Sequence, residues 1–347
     1  MISFFAPLAL TVSTGALLTL PLAPALRELT SKRDANPLIT RKDDGKIDNF
    51  AASLRTRCQP FLPHLMRVRE VLTTEQLNFP EGRILVVGER GAWSGPKSQD
   101  ALVLCANQTQ LPEGFRSLED FYALEDLHSG RDNLFRTLLS EGNVVLRRGS
   151  KVLRWVHAVL NLEVEEDCLL FGRASAGTSL TLAAGCSFER IHAAAIYTVK
   201  AAHAIAVRTE SAPFSKLAQA GMGRARIHGN ARLKSGEQRY GNLVMSEGLH
   251  VDETACVFGS VKANGDIRLE QRAEVDGSVV STKRIHIAPA CFVKGPIISE
   301  KEIWIDSGVQ VGLPSSPTTV SAPRIHLAAG SVLHGTVWAR AEGRVES

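Results

Sequence analysis

Residues 257–305, VFGSVKANGDIRLEQRAEVDGSVVSTKRIHIAPACFVKGPIISEKEIWI, return to one pattern every 18 residues. The apolar pairs Ile267/Leu269, Ile285/Ile287 and Ile303/Ile305 recur at that interval. Eight places after the first member of a pair stands Val275 or Val293. Two places later comes Gly277 or Gly295, then Val279 or Ile297, then a small residue, Ser281 or Ser299. Side chains two apart share one face of a strand, so each repeat reads as three short strands of about six residues with aliphatic inward positions. A single coil leaves those inward side chains bare. Stacking coils ~4.8 Å apart pairs each backbone with the next and joins the side chains into one column. The expected fold is mainly β, a parallel β-helix with 18-residue coils.

The pattern extends in both directions. Downstream, Ile325/Leu327 follow a four-residue insertion in GLPSSPTTVSAPR. Upstream lie Leu249/Val251 and an earlier set, Val144/Leu146, Leu162/Val164 and Leu180/Leu182, with Val152, Leu170 and Phe188 at the eighth place. The β-helix is expected over 143–340, with 341–347 as a tail. Residues 195–248 keep the period poorly and are expected to hold an inserted loop or distorted coils. Cys168, Cys186 and Cys291 take the coil position that Ala255 and Ala273 occupy elsewhere, which makes them core residues.

Residues 1–26 carry no charged side chain, and Arg27, Lys32, Arg33, Arg41, Lys42 and Lys46 follow. The expectation is a membrane helix anchoring the chain over 1–27, then a basic juxtamembrane linker over 28–80. Basic residues just after the apolar segment place the rest of the chain in the cytoplasm, at the inner membrane, by the positive-inside rule. A cleaved signal is the competing reading, on Ala23-Pro24-Ala25, but the basic residues that open such signals are missing. The segment is short for a span, and a third reading lays it in one leaflet. Between linker and rod, RILVVG (83–88) and ALVLC (101–105) read as strands, and SLEDFYALEDL (117–127) and NLFRTLL (133–139) as helices. Residues 81–142 are therefore expected to form a small α/β module capping the first coil.

Chemistry is sparse. The net charge of +4 comes from 40 basic and 36 acidic residues without a block of one sign, so nucleic acid is not an expected partner. The six cysteines show neither C-x-x-C nor zinc-ligand spacing. No G-x-S-x-G or H-E-x-x-H occurs, and in Gly95-Pro96-Lys97-Ser98 the proline and a following strand argue against a phosphate loop. No catalytic residue, cofactor or metal is expected. One outward row stands out: His250, Arg268, His286, Trp304 and His326 lie between the members of successive apolar pairs. They line one side of the rod as a candidate surface for an anionic polymer or glycan.

The V-x-G-x-V steps and A-x-V-x-G joints of residues 257–305 resemble the bactofilins, polymer-forming bacterial cytoskeletal proteins. The resemblance is close over 249–311 and looser along the rest of the rod. It implies a right-handed three-sided β-helix, end-to-end assembly with other copies without nucleotide, and attachment to the membrane through an amino-terminal segment. The chain departs from the family in the residues placed before the rod and in its number of coils. The function expected is a membrane-anchored scaffold that self-associates and positions envelope-associated or polysaccharide-related proteins. The alternative is a carbohydrate-binding or carbohydrate-active β-helix.

Overall fold

The computed structural model describes residues 5–23, 49–79, 82–200 and 223–346. The chain divides into two units, 1–46 and 47–347. In the first, helix α1 (Phe5–Thr19) runs into a 3-10 turn, Leu20–Leu22. Its 15 residues reach about 22 Å at 1.5 Å per residue, short of the ~30 Å hydrocarbon core. The span expected over 1–27 is thus corrected: among the described residues no helix is long and apolar enough to cross a membrane. Pro21 sits inside the 3-10 turn, where its missing N–H and ring end the α-helical ladder.

The second unit is a parallel β-solenoid of about 13 turns, and 53% of the chain is strand. Its period is the one read from the sequence. Leu249 pairs in register with Ile267, then Ile285, Ile303 and Ile325. A turn of the second half lays down three short strands, as Leu249–Val251, Cys256–Phe258 and Val261–Ala263 do. The inward pairs are buried throughout, from Val144 and Leu146 to Ile325 and Leu327. Between the first and second strand of many turns the chain takes one left-handed residue, Thr254, Arg272, Ala290 and Gly308 in the second half. A second corner is a column of glycines. A Cβ on Gly277 would lie 2.6 Å from the Gly259 backbone, and one on Gly295 2.6 Å from that of Gly277.

The solenoid is two stacks rather than one. The first begins at Gly82–Val87 and climbs through Leu102–Cys105, Arg116–Ala123 and Leu134–Ser140 into the coils read from the sequence. Residues 82–142 are therefore solenoid turns, and strands stand where helices were expected at 117–127 and 133–139. In both, one strand leads directly into the next with a register shift, between Ser117 and Asp120 and between Val152 and Trp155 of the paired turn. The shift breaks the alternation of apolar residues, and Leu118, Phe121, Tyr122 and Leu124 then mimic helical spacing. The expected linker over 28–80 also holds structure in its described part: α2 (Asn49–Cys58), α3 (Leu62–Val71) and the strand Thr74–Phe79. Ala51, Leu54, Leu65 and Val68 pack on the outward side chains Ile84, Val86, Leu102, Leu104, Tyr122 and Leu139. Arg55 clamps the helices by a paired contact to Glu141 at 2.7 and 3.0 Å.

The second stack starts at Arg224–Ile227 and runs to Val332–Glu346. Coils therefore occupy the described part of 195–248 beyond residue 222, and the expected tail at 341–347 is strand as far as Glu346; residues 201–222 lie outside the described residues. The two stacks meet at their last turns. Ser187–Val199 pairs antiparallel with Val332–Glu346, in the register Ser187↔Arg344, Ile191↔Val337 and Ile196↔Leu333. Ile191 and Val337 end equivalent ladders of their own stacks and face each other, the relation of a local two-fold axis. Polar groups at this seam are well matched. The Thr198 hydroxyl donates to the Ala328 carbonyl at 2.7 Å and accepts the Ser331 N–H at 2.9 Å. His334 Nδ1 lies 2.9 Å from the Ala194 carbonyl.

Candidate functional site

The outward row expected from the sequence exists as a row. His250, Arg268, His286, Trp304 and His326 are register partners on successive turns, and Arg232 and Arg344 extend it at either end. Its basic side chains lie against carboxylates on the same face. His250 Nε2 lies 3.2 Å from both Asp252 and Glu270, and Arg268 Nε lies 2.6 Å from Glu270. His286 faces Asp306 at 3.1 Å, while His326 bridges Glu302 at 3.0 Å and Glu346 at 2.9 Å. Burial alone would push the Glu302 carboxyl up. Hydrogen bonds from Trp304 and His326 and the charge of Arg324 outweigh it and hold the group below the ordinary carboxylate range. The Trp304 and His326 rings stack at 3.7 Å, 5° apart, with Trp304 38% exposed. The face presents ion pairs and one open aromatic edge, not a stripe of bare positive charge.

The cysteine reading meets the same kind of geometry. Cys168 and Cys186 are buried on neighbouring turns, and the Cys291 thiol donates to the Glu270 carbonyl at 2.9 Å. Hydrogen bonding of its S–H toward Cys186 and then burial push the Cys168 thiol up, and burial pushes Cys105 and Cys291 up to about 12. Such thiols are poor nucleophiles and poor metal ligands at neutral pH. Among the described residues no three His, Cys, Asp or Glu side chains converge to hold a metal ion. Gly95-Pro96-Lys97-Ser98 runs into the strands Ser98–Gln99 and Leu102–Cys105 rather than into a helix.

The two outer ends of the solenoid are built differently. At the first, Trp93 caps the interior. Its N–H bonds the Gln110 carbonyl at 2.9 Å, its ring meets Phe115 at 5.2 Å, and its Nε1 donates to the Pro96 carbonyl at 3.1 Å. Thr74–Phe79 adds an antiparallel strand beside Gly82–Val87. At the second, the strands Arg224–Ile227, Ala231–Leu233 and Gln238–Tyr240 each pair with the following turn only, among the described residues. Ala225, Ile227 and Ala231 are partly buried, where every later turn is closed. Arg239 is the anomaly. Its register partner is Val257, an inward residue at 0% exposure, so an arginine stands at the mouth of the aliphatic column. Arg224, Arg226, Lys234 and Arg239 are exposed and make no ion pair among the described residues, whereas Arg232 is held by Asp252 at 3.0 Å. Counting 18 back from Val257 gives Arg239, and an arginine at an aliphatic position hides the period there.

No family model, no curated protein and no solved structure matches this chain.

Proposed function

We propose that this protein is a non-enzymatic scaffold of the bactofilin kind. In this reading it is a right-handed, three-sided β-helix whose long rod holds envelope-associated proteins at the cytoplasmic face of the membrane. The observation that supports it is the seam: antiparallel pairing of Ser187–Val199 with Val332–Glu346 joins the two stacks into one hydrogen-bonded body. About 13 turns at ~4.8 Å give it a length of roughly 60 Å. Membrane attachment rests on α1, whose Phe5, Leu10 and Leu17 are 74%, 69% and 75% exposed; it enters the bilayer without crossing it. Self-association runs through the tip at Arg224–Tyr240, because the last turn of each stack is already spent on the seam and Trp93 closes the other tip. Four exposed cations there repel a second copy, and salt screens that repulsion.

Sedimentation of the full chain in mild detergent tests this. The expected result is single rods at low ionic strength and pairs of rods as salt is raised. Long filaments at low salt would overturn the closed-tip part of the proposal. Single rods at every salt and protein concentration would remove self-association. Flotation with anionic vesicles tests the tether, and loss of flotation on deleting residues 1–23 is the expected result.

A further inference from the structure

We infer that the open tip of the second stack is a docking edge for an extended acidic segment of another protein, which adds to the solenoid as one more turn. This deepens the scaffold reading and rests on it, for it names what the rod holds. Three observations converge. The strands Arg224–Ile227, Ala231–Leu233 and Gln238–Tyr240 leave one edge each without a partner among the described residues, and unpaired backbone N–H and C=O groups are the template for strand addition. The aliphatic column ends there on Ala225, Ile227 and Ala231, all partly buried, so an added strand gains apolar contact as well as hydrogen bonds. The charge then selects the occupant. Arg224, Arg226, Lys234 and Arg239 are exposed, while Glu237 is the one acidic residue of the turn.

A second copy of the same tip would bring those four cations against four more. A segment carrying carboxylates meets them with opposite sign. Arg239 fixes the geometry most tightly, because its register places it in line with Val257, Val275 and Val293. A carboxylate lying over the column mouth can accept its guanidinium N–H groups as a fork. Tyr240, 61% exposed and stacked on Phe258 at 4.7 Å and 10°, supplies a flat wall beside it. On the outward row, by contrast, the basic side chains already lie against Asp252, Glu270, Asp306, Glu302 and Glu346.

The test uses the full chain and a fluorescein-labelled peptide alternating threonine and glutamate, followed by anisotropy. The threonine-lysine peptide, single-stranded DNA and anionic vesicles serve as comparisons. The expected result is binding of the glutamate peptide alone, weakened at least tenfold by moderate salt and at least tenfold by Arg226→Glu together with Arg239→Glu. Arg239→Val extends the aliphatic column by one residue type it already uses, so it keeps the fold. It should lose the peptide and strengthen pairing of rods in sedimentation. Equal binding of the peptide to wild type and both variants would overturn the proposal, as would no binding at all. Equal or tighter binding of DNA or vesicles through the same arginines would overturn it too, since the tip would then be a plain polyanion patch. Rod pairing with no peptide binding would leave the scaffold reading standing and sink this one alone.

Discussion

The two stacks solve one packing problem with different side chains. The second is filled almost wholly with Val, Ile, Leu and Ala, in an 18-residue rhythm kept from Leu249 to Ile305, and among the described residues no helix packs on it. The first centres on an aromatic cluster in which Phe115, Phe121 and Phe135 meet at 6.1–6.2 Å. Its turns slip register at their corners, and one face is roofed by α2 and α3. A regular turn repeats its neighbour's contacts and needs little else. An irregular one has larger side chains to accommodate, and it draws part of its burial from elements outside the ladder. The first stack should therefore depend on a few large residues, and the second on many small, equivalent ones.

The sharpest way to break that contrast is to truncate one residue in each. Phe135→Ala removes a fully buried ring from the cluster and should cost about 3–5 kcal/mol; Val275→Ala, equally buried in the second stack, should cost about half as much or less. Equal losses in chemical denaturation would erase the distinction. A smaller effect probes the regular corner. Gly277→Ala sets a methyl against the Gly259 backbone, which should cost about 1–3 kcal/mol because neither chain can move without its neighbours. The same change at Gly229, where a Cβ meets nothing within 4 Å, is governed only by its left-handed φ of 95°. The smallest effect lies on the outer face. Glu302 titrates below its ordinary 4.5 in the folded chain, so it binds protons more readily when unfolded. Its stabilisation is complete above that value and fades as pH falls through the folded pKa. Wild type should exceed Glu302→Gln in melting temperature at neutral pH, and the gap should narrow in acid.

The contrast also explains what was readable in advance. Wherever inward positions were aliphatic and 18 apart, as from Leu249 to Ile305, strand, register and burial could all be named from the sequence. The row His250, Arg268, His286, Trp304 and His326 followed, since an outward position is fixed by the inward pair around it. Reading failed where bulk replaced rhythm. Phe121 with Tyr122, and Leu138 with Leu139, put two large apolar residues side by side, one inward and one under the helices; a strand covered on both faces loses its alternation. Reading failed again at Arg239, because a terminal turn has no further neighbour to demand an aliphatic side chain. The seam carries no local signal at all. It joins residues such as His192 and Thr336, 144 apart in the chain, and complementarity at that distance is invisible to a periodic scan.

That separation has a kinetic consequence. The first stack winds from its tip toward the seam, but the second can reach the seam only after the chain has passed to the far tip and wound back. The strand Val332–Glu346, which closes the middle of the rod, is thus the last part of the second stack to be synthesised. Until it arrives, Ser187–Val199 waits with three open edges, a state that invites pairing with the wrong strand. Contacts this distant in sequence are slow to form. Refolding should therefore show a late phase that belongs to the seam, after the turns of each stack have already formed.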